Sequence, residues 1–327
     1  MGIAVHHMVH DASSQRLFLE DLELALKWPE RPLKPHIDYK AWCDSFAAMR
    51  MSPQATAAVN YHVKRLKGIH KHTKGLYPKA PAPRAAITRS PDGLDYSFDV
   101  QGLRDLQKVD STIIAAVVLK AAMAIVDVNR TGHTHALFNN FEASRKRFPF
   151  IPEGLEALSP GAFQASDVNG PVMQGVCNLV SVDPNESIVQ YLHRLQMDQR
   201  ELTTYADAPL KRVIEELNAD GSGDGDMAVE VHRTQFLSWV PGFLGEYENI
   251  EVAQLAIRCD AGLVVVAGLG GPTGTMLIMT TRWDVANYTR ELTAAYLKHI
   301  ELVILWIIDN RNFDRPVTDL LNYIAEN

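Results

Sequence analysis

Alternation of apolar and polar residues predicts strands in the middle and in the last third of the chain. Residues 94–100 alternate between the two kinds of side chain, as a half-buried strand does. A glycine-rich segment, 268–274, separates the last two strand candidates and predicts a wide hairpin between them. The strand candidates are 94–100, 136–138, 176–182, 254–267 and 275–283.

Apolar residues at helical spacing predict helices around these strands. Ser13 and Ser14 are suited to cap the first helix, and Ser52-Pro53 has the residue order of a second helix start. Asp110 to Thr112 are expected to cap a long Ala/Val/Ile helix that ends near Arg130. The further helix candidates are 187–203 and 287–308. The proline-containing segment 75–91 is the predicted linker. The predicted loops are 147–174 and the tip 220–225.

Composition narrows the classes of function. The 327 residues are 46% hydrophobic and carry a net charge of −7, which argues against a nucleic-acid partner because phosphate binding needs a basic excess. The longest apolar run, 302–308, is far shorter than the roughly 20 residues of a membrane span. No signal peptide is visible, and Cys43, Cys177 and Cys259 lack metal-binding spacing, so we predict a cytoplasmic protein with reduced thiols.

Candidate chemistry lies at the start of the sequence, where His6-His7-Met8-Val9-His10-Asp11-Ala12 follows a short apolar lead-in. Imidazole can take up and return a proton near neutral pH, and a carboxylate four residues further on can brace the turn that orients the ring. The run resembles the HHxxxDG signature of nonribosomal peptide synthetase condensation domains of the fungal kind, with alanine in place of the glycine.

Three later blocks are similar to the same family and follow its order. They are His36-Ile37-Asp38-Tyr39-Lys40-Ala41-Trp42, then Gly175-Val176-Cys177-Asn178, and then Tyr205-Ala206-Asp207-Ala208-Pro209-Leu210. The arginine-rich block that follows in the family has no convincing counterpart around His232-Arg233. The opening RHExLR block, whose arginine is the usual partner of the motif aspartate, is missing.

The resemblance implies an α/β, chloramphenicol-acetyltransferase-like sandwich of two lobes with the first lobe truncated. Residues 1–84 would be the remnant of the N-terminal lobe with the HHxxxD motif, and 85–327 the C-terminal lobe. The missing half-lobe would be absent or supplied by another polypeptide. Phosphopantetheine arms of carrier proteins would present the substrates, and the domain would need no cofactor or metal of its own.

The resemblance also assigns roles to individual residues. His7 is the candidate catalytic base, or the group that orients the amine and steadies the tetrahedral intermediate. Asp11 would shape the turn, and His6 would pack beneath the site. Asn178 and Trp239 are candidate tunnel-lining residues, although tryptophan at position 239, like Trp42, is also typical of a core.

Other patterns favour simpler interpretations. His6, His7 and His10 form an HHxxH cluster, but no acidic or cysteine ligand has a suitable spacing, so no zinc site is predicted. The segment 268–274 lacks the lysine of a P-loop and favours a hairpin turn. A basic cluster is expected to be a solvated face. A second hypothesis is that its positive charge attracts an acidic carrier domain. Its members are Lys64, Arg65, Lys67, His70, Lys71, His72 and Lys74.

The sequence therefore predicts an acyltransferase that joins carrier-bound thioester intermediates by an amide bond, either linear or ring-closing. A standalone HxxxD acyltransferase that uses acyl-CoA is a second hypothesis. A non-catalytic remnant that only docks carrier domains is a third, supported by the apparent truncation.

Overall fold

The computed structural model describes residues 10–36, 39–78, 91–143, 168–240, 247–250, 261–285 and 287–327. Within these ranges the chain forms ten α-helices and six β-strands. The helices are α1 (Ala12–Lys27), α2 (Tyr39–Met51), α3 (Thr56–Leu66), α4 (Leu103–Val109), α5 (Ala115–Thr131), α6 (Ile188–Tyr205), α7 (Leu210–Asn218), α8 (Asp224–Thr234), α9 (Arg290–Ile307) and α10 (Val317–Glu326). The strands are β1 (Pro91–Asp99), β2 (His135–Ala143), β3 (Met173–Ser181), β4 (Gln235–Trp239), β5 (Leu263–Gly270) and β6 (Met276–Asp284).

The six strands form one mixed sheet in the order β1-β6-β5-β4-β2-β3. Strand β4 lies parallel to both β2 and β5, whereas the β1–β6, β5–β6 and β2–β3 pairs are antiparallel. Because β2 and β4 run in one direction and β3 in the other, β2 and β4 end at the edge of the sheet where β3 begins. This edge is the part of the fold that matters for the candidate site.

Helices cover both faces of the sheet, as alternate residues of β2 demonstrate. Ala136 and Phe138 belong to the main core, which contains most of α5 and α9. Leu137, between them, points to the opposite face and joins a second core that includes residues of α3, α7 and α8. Helix α5 is buried over its whole middle section, which explains why its sequence is apolar on all sides. The architecture is therefore a three-layer α/β sandwich.

The structure confirms much of the predicted order of elements and changes several boundaries. The antiparallel β5–β6 hairpin is present, and Ser187 caps α6 with Gln190 as its capping-box partner. The caps predicted for two other helices are wrong. Asp11 is the N-cap of α1, with Ser14 as its partner three residues on, and α5 begins after Ile114 without a side-chain cap.

Parts of the sequence-based prediction lie outside the described residues. The domain boundary at residue 84, most of the proposed linker, residues 147–167 of the predicted loop and Cys259 belong to them. Cys43 and Cys177 have free thiols, and burial raises the pKa of Cys177 to about 12. Among the helices of the described ranges, none combines the length and the apolar character needed to cross a bilayer.

Candidate active site

Asp11, the aspartate of the histidine-rich run, is buried at the N-terminus of α1. Its Oδ1 accepts a hydrogen bond from the backbone amide of Ser14 at 2.8 Å, and its own amide donates to the Ser14 hydroxyl at 2.7 Å. Its Oδ2 accepts a hydrogen bond at 2.9 Å from the amide of Val172, which is distant in sequence. One carboxylate thus starts a helix and holds the segment 168–172. His6 and His7 lie outside the described residues.

Helix α2 contacts the same segment from another side. The Tyr39 hydroxyl donates a hydrogen bond to the carbonyl of Pro171 at 2.9 Å. The Tyr39 ring lies so close to Gly170 that a Cβ there would come within 2.2 Å of it. Trp42 shares a small buried cluster with residues of the segment, and its interpretation as a core residue is confirmed. The first two family-like blocks therefore meet at residues 168–172.

The third and fourth family-like blocks are also joined to this region. Arg50, at the end of α2, donates hydrogen bonds to the carbonyls of Asp207 and Ala208 at 2.9 and 3.1 Å. The third block lies in β3, which begins at Met173, directly after the segment that Asp11 holds. Four blocks that are far apart in the sequence thus converge around the start of β3.

This convergence occurs at the sheet edge described above. Ala143, the last residue of β2, pairs with Met173. Trp239 is the last residue of β4, which runs parallel to β2. Its side chain is half-buried and packs against the main core. The ends of parallel strands are a common place for functional residues in α/β folds.

Asn178 is buried in β3, and its amide is engaged at both ends. Its Nδ2 donates to Asn140 Oδ1, and its Oδ1 accepts from the Arg65 guanidinium at 3.3 Å. The same guanidinium binds the Cys177 carbonyl at 2.6 Å and forms an ion pair with Asp198 at 3.3 Å. Burial by itself raises the pKa of Asp198, but the hydrogen bond and charge of Arg65, together with the charges of Lys120 and Arg194, outweigh this effect and lower the pKa.

A buried lysine extends this polar network and has no counterpart in the sequence-based prediction. Lys120 of α5 is 2% exposed; its Nζ donates to Gln199 Oε1 at 3.0 Å and lies 4.0 Å from Asp198. Burial, together with the charge of Arg65, lowers the pKa of Lys120 to about 7. The sequence signal was a single lysine within the apolar run of α5.

A second missed residue is His232 of α8, which lies beside Gly175 in β3. A Cβ at Gly175 would be 3.4 Å from the imidazole and 2.9 Å from the Asn139 amide, so glycine permits this approach. Burial lowers the pKa of His232 to about 4, and its ring is neutral at pH 7. No partner within the described residues reaches its Nε2 or the Asn139 side chain.

The predicted basic cluster is not a single solvated face. Arg65 points inward, His70 Nδ1 contacts the buried Asp224 carboxylate at 2.6 Å, and His72 lies against two other histidines. Residues of the cluster that pack against α8 or β2 cannot also face solvent, which the sequence could not reveal. The exposed members are Lys64, Lys67, Lys71 and Lys74.

Comparison with solved structures identifies the fold. The starter condensation domain of rhizomide synthetase, solved in complex with C8-CoA, matches with a TM-score of 0.66 and 14% identity over 96% of this chain and 66% of that one. The chain has the fold of a condensation domain. The complex of the X-domain and OxyB from teicoplanin biosynthesis matches with a TM-score of 0.69 and 13% identity, covering 97% of this chain and 68% of the other.

An epimerization domain of tyrocidine synthetase B also shares this chloramphenicol-acetyltransferase-like α/β fold. Its TM-score is 0.65 at 14% identity, covering 93% of this chain and 68% of that one. The chain spans about two-thirds of the length of these structures. Comparison with protein-family profiles and with curated proteins finds no match.

Proposed function

We propose that this chain is a condensation-type acyltransferase of nonribosomal peptide biosynthesis. The observation that supports this most is the hydrogen bond from Val172 to Asp11, which joins the HHxxxD run to the start of β3. The condensation-domain fold supports the same class of reaction. The fungal kind, the division into 1–84 and 85–327, and the cytoplasmic location remain predictions from the sequence.

In the proposed reaction, an amine on one carrier arm attacks the thioester carbonyl on another. A C–N bond forms, the C–S bond breaks, and the proton lost by the amine ends on the departing thiolate. His7 would take up that proton, or would orient the amine and steady the tetrahedral intermediate. Asp11 would position the turn through its two backbone hydrogen bonds rather than touch the substrate.

The proposal is tested by His7→Ala, with His10→Ala as the matched control. Both changes remove one imidazole from the same run, but only the first removes the proposed catalytic group. Intact mass spectrometry of loaded carrier domains measures amide formation directly. We expect His7→Ala to slow it at least about 100-fold and His10→Ala to keep most of it, since a positioned base contributes about that factor. Undiminished condensation by His7→Ala would refute the assignment.

Acyl-CoA is an alternative donor, because the solved structure of the rhizomide starter condensation domain contains C8-CoA. A standalone HxxxD acyltransferase would release free CoA together with the acylated product in the absence of any carrier domain. Release of CoA without a carrier would favour this alternative. A strict requirement for the carrier would favour the condensation reaction.

A role limited to docking is the third hypothesis. One of the matched structures, the complex of an X-domain with OxyB, is an example of this fold bound to a protein partner. Under that hypothesis carrier domains would bind, but neither His7→Ala nor the unchanged chain would form product. Asn178 and Trp239 remain candidate lining residues. Carrier domains as partners, and phosphopantetheine arms rather than a cofactor of its own, likewise remain parts of the proposal.

A further inference from the structure

Three histidines from two separate parts of the chain meet outside the candidate active site. His72 belongs to the 3-10 helical turn Ile69–Gly75, His135 is the first residue of β2, and His133 lies two residues before it. Nδ1 of His72 lies 3.0 Å from Nε2 of His133. The ring centroids of His72 and His135 are 4.0 Å apart. Each imidazole offers one nitrogen, and the three nitrogens lie within 4.8 Å of one another.

The backbone holds this group together independently of the rings. Gly75, at the end of the turn, approaches β2 so closely that a Cβ there would lie 2.3 Å from the His135 carbonyl oxygen. The next residue, Leu76, forms a parallel bridge with Leu137 of β2. The turn is therefore fixed against β2, and the three imidazoles need little movement to share one ligand.

The spacing fits a tetrahedral metal ion. Two nitrogens bound to the same tetrahedral zinc at about 2.05 Å are about 3.4 Å apart, close to the 3.0 Å between His72 and His133. The Thr134 hydroxyl forms a hydrogen bond with His135 Nδ1 at 2.9 Å, which leaves Nε2 as the ligand atom. Hydrogen bonds of this kind orient metal-bound imidazoles.

Two cationic side chains act on these rings, Lys71 on His72 and Arg194 on His135, and their positive charges oppose a bound cation. This opposition is a reason to expect moderate rather than very tight binding.

We propose that His72, His133 and His135 bind a divalent transition-metal ion of the zinc type, with a water molecule as the fourth ligand. The bound ion would link the turn Ile69–Gly75 to the start of β2. Imidazole is a preferred ligand of such ions, and three imidazoles with one open position form a recurrent zinc site. Among the described residues, no other three His, Cys, Asp or Glu side chains come together in this way.

The sequence carried a weak signal for this site. His70-Lys71-His72 and His133-Thr134-His135 are both His-x-His pairs. His135 is the first residue of β2, and the bend at Thr134 brings His133 to the same group. Only the fold reveals that His72 completes the group while His70 turns toward Asp224.

The test uses the full chain without a polyhistidine tag, stripped of metal with a chelator. Titration with Zn²⁺ followed by calorimetry gives the stoichiometry and affinity, and Co²⁺ gives a visible absorption band that reports tetrahedral coordination. His72→Gln and His135→Gln each remove one ligand. His193→Gln, an exposed histidine of α6, and His10→Gln, from the N-terminal run, are matched controls.

We expect one Zn²⁺ per chain, a tetrahedral Co²⁺ band, and a melting temperature at least about 2 °C higher with saturating Zn²⁺. Each ligand variant should weaken binding at least about 10-fold while the controls keep it. Equal binding by His72→Gln, His135→Gln and the unchanged chain would overturn the site, as would a titration of the unchanged chain that shows neither heat of Zn²⁺ binding nor a tetrahedral Co²⁺ band. Circular dichroism of both ligand variants excludes unfolding as the cause.

Discussion

Asp11 and Val172 are joined by a buried hydrogen bond of 2.9 Å between a carboxylate oxygen and a backbone amide, across 161 residues of sequence. The same carboxylate caps α1 through Ser14. Two elements that would otherwise be independent are therefore fixed to one side chain. Asp11 thus positions the segment 168–172 relative to the start of α1.

Substitution of Asp11 separates these two functions. Asp11→Ala removes both the cap and the long-range bond, and we expect the free energy of unfolding to fall by about 2 to 4 kcal/mol, because an N-cap contributes about 1 and an orphaned buried amide about 1 to 3. Asp11→Asn can keep the cap through its carbonyl oxygen, but its amide nitrogen cannot accept from Val172. Urea denaturation measures both changes.

Ser187→Ala is the matched control for the Asp11 variants. It removes the capping box of α6 but no bond to the segment 168–172. We expect a loss of about 1 kcal/mol and unchanged amide formation. If Asp11→Asn were as stable and as active as the unchanged chain, the bond to Val172 would have no functional importance.

Gly170 and Tyr39 provide a second test of this segment. A methyl group at position 170 would lie 2.2 Å from the Tyr39 ring, so Gly170→Ala must displace the ring or the segment. We expect a loss of about 1 to 3 kcal/mol, the usual range for overpacking. Thermal and urea unfolding measure it.

The double variant Gly170→Ala/Tyr39→Ala gives the control for this prediction. Removal of the ring creates the space that the added methyl group needs, so the two losses should be less than additive in a double-mutant cycle. Fully additive losses would indicate that position 170 does not act through Tyr39.

The sequence alone predicted those elements whose signals are local. The amphipathic pattern of α6 and the glycine-rich hairpin between β5 and β6 lie within the structure that they specify or within a few residues of it. Helix α2 was missed, although Tyr39, Trp42, Phe46 and Met49 recur at helical spacing and share one buried cluster. Strand β4 was missed because it follows α8 directly at Thr234, without a glycine or proline between them.

The candidate site was predictable only in its family-like blocks. Nothing near Val172 indicates that its amide binds Asp11, because that partner depends on the tertiary fold. Similarly, a lysine in an apolar run can lie on an exposed stripe, and only the tertiary fold, in which α5 packs against α6, buries Lys120 beside Asp198 and Gln199. Local patterns thus identify the elements but not the long-range polar contacts that position them.

Lys120 should give the protein a measurable pH dependence in the alkaline range. Burial lowers its pKa to about 7 from the ordinary 10.5, so between these values the unfolded chain binds more protons than the folded one. The contribution of Lys120 to the free energy of unfolding therefore increases with pH, by up to about 1.4 kcal/mol per pH unit. Lys120→Met removes this contribution, and its stability relative to the unchanged chain should fall from pH 7 to pH 9.

Lys108→Met is the control for the lysine prediction, because the Lys108 side chain is 77% exposed. Its stability relative to the unchanged chain should not vary over the same range of pH. Urea denaturation at pH 7, 8 and 9 supplies the three comparisons. Parallel curves for Lys120→Met and the unchanged chain would contradict the buried position of this lysine.

His62 should control part of the acid sensitivity. Its side chain is buried, and burial lowers its pKa to about 4 from 6.5, so between these values the unfolded state binds more protons. The free energy of unfolding should fall as the pH drops through this window, by up to about 1.4 kcal/mol per unit for this residue. His62→Gln retains a donor for the Tyr205 carbonyl, which His62 Nε2 meets at 2.9 Å, but cannot be protonated. Urea denaturation between pH 6.5 and 4 should therefore show a smaller loss of unfolding free energy for His62→Gln than for the unchanged chain. The exposed control His193→Gln should follow the unchanged chain. An equal dependence on pH in all three proteins would refute the role of His62.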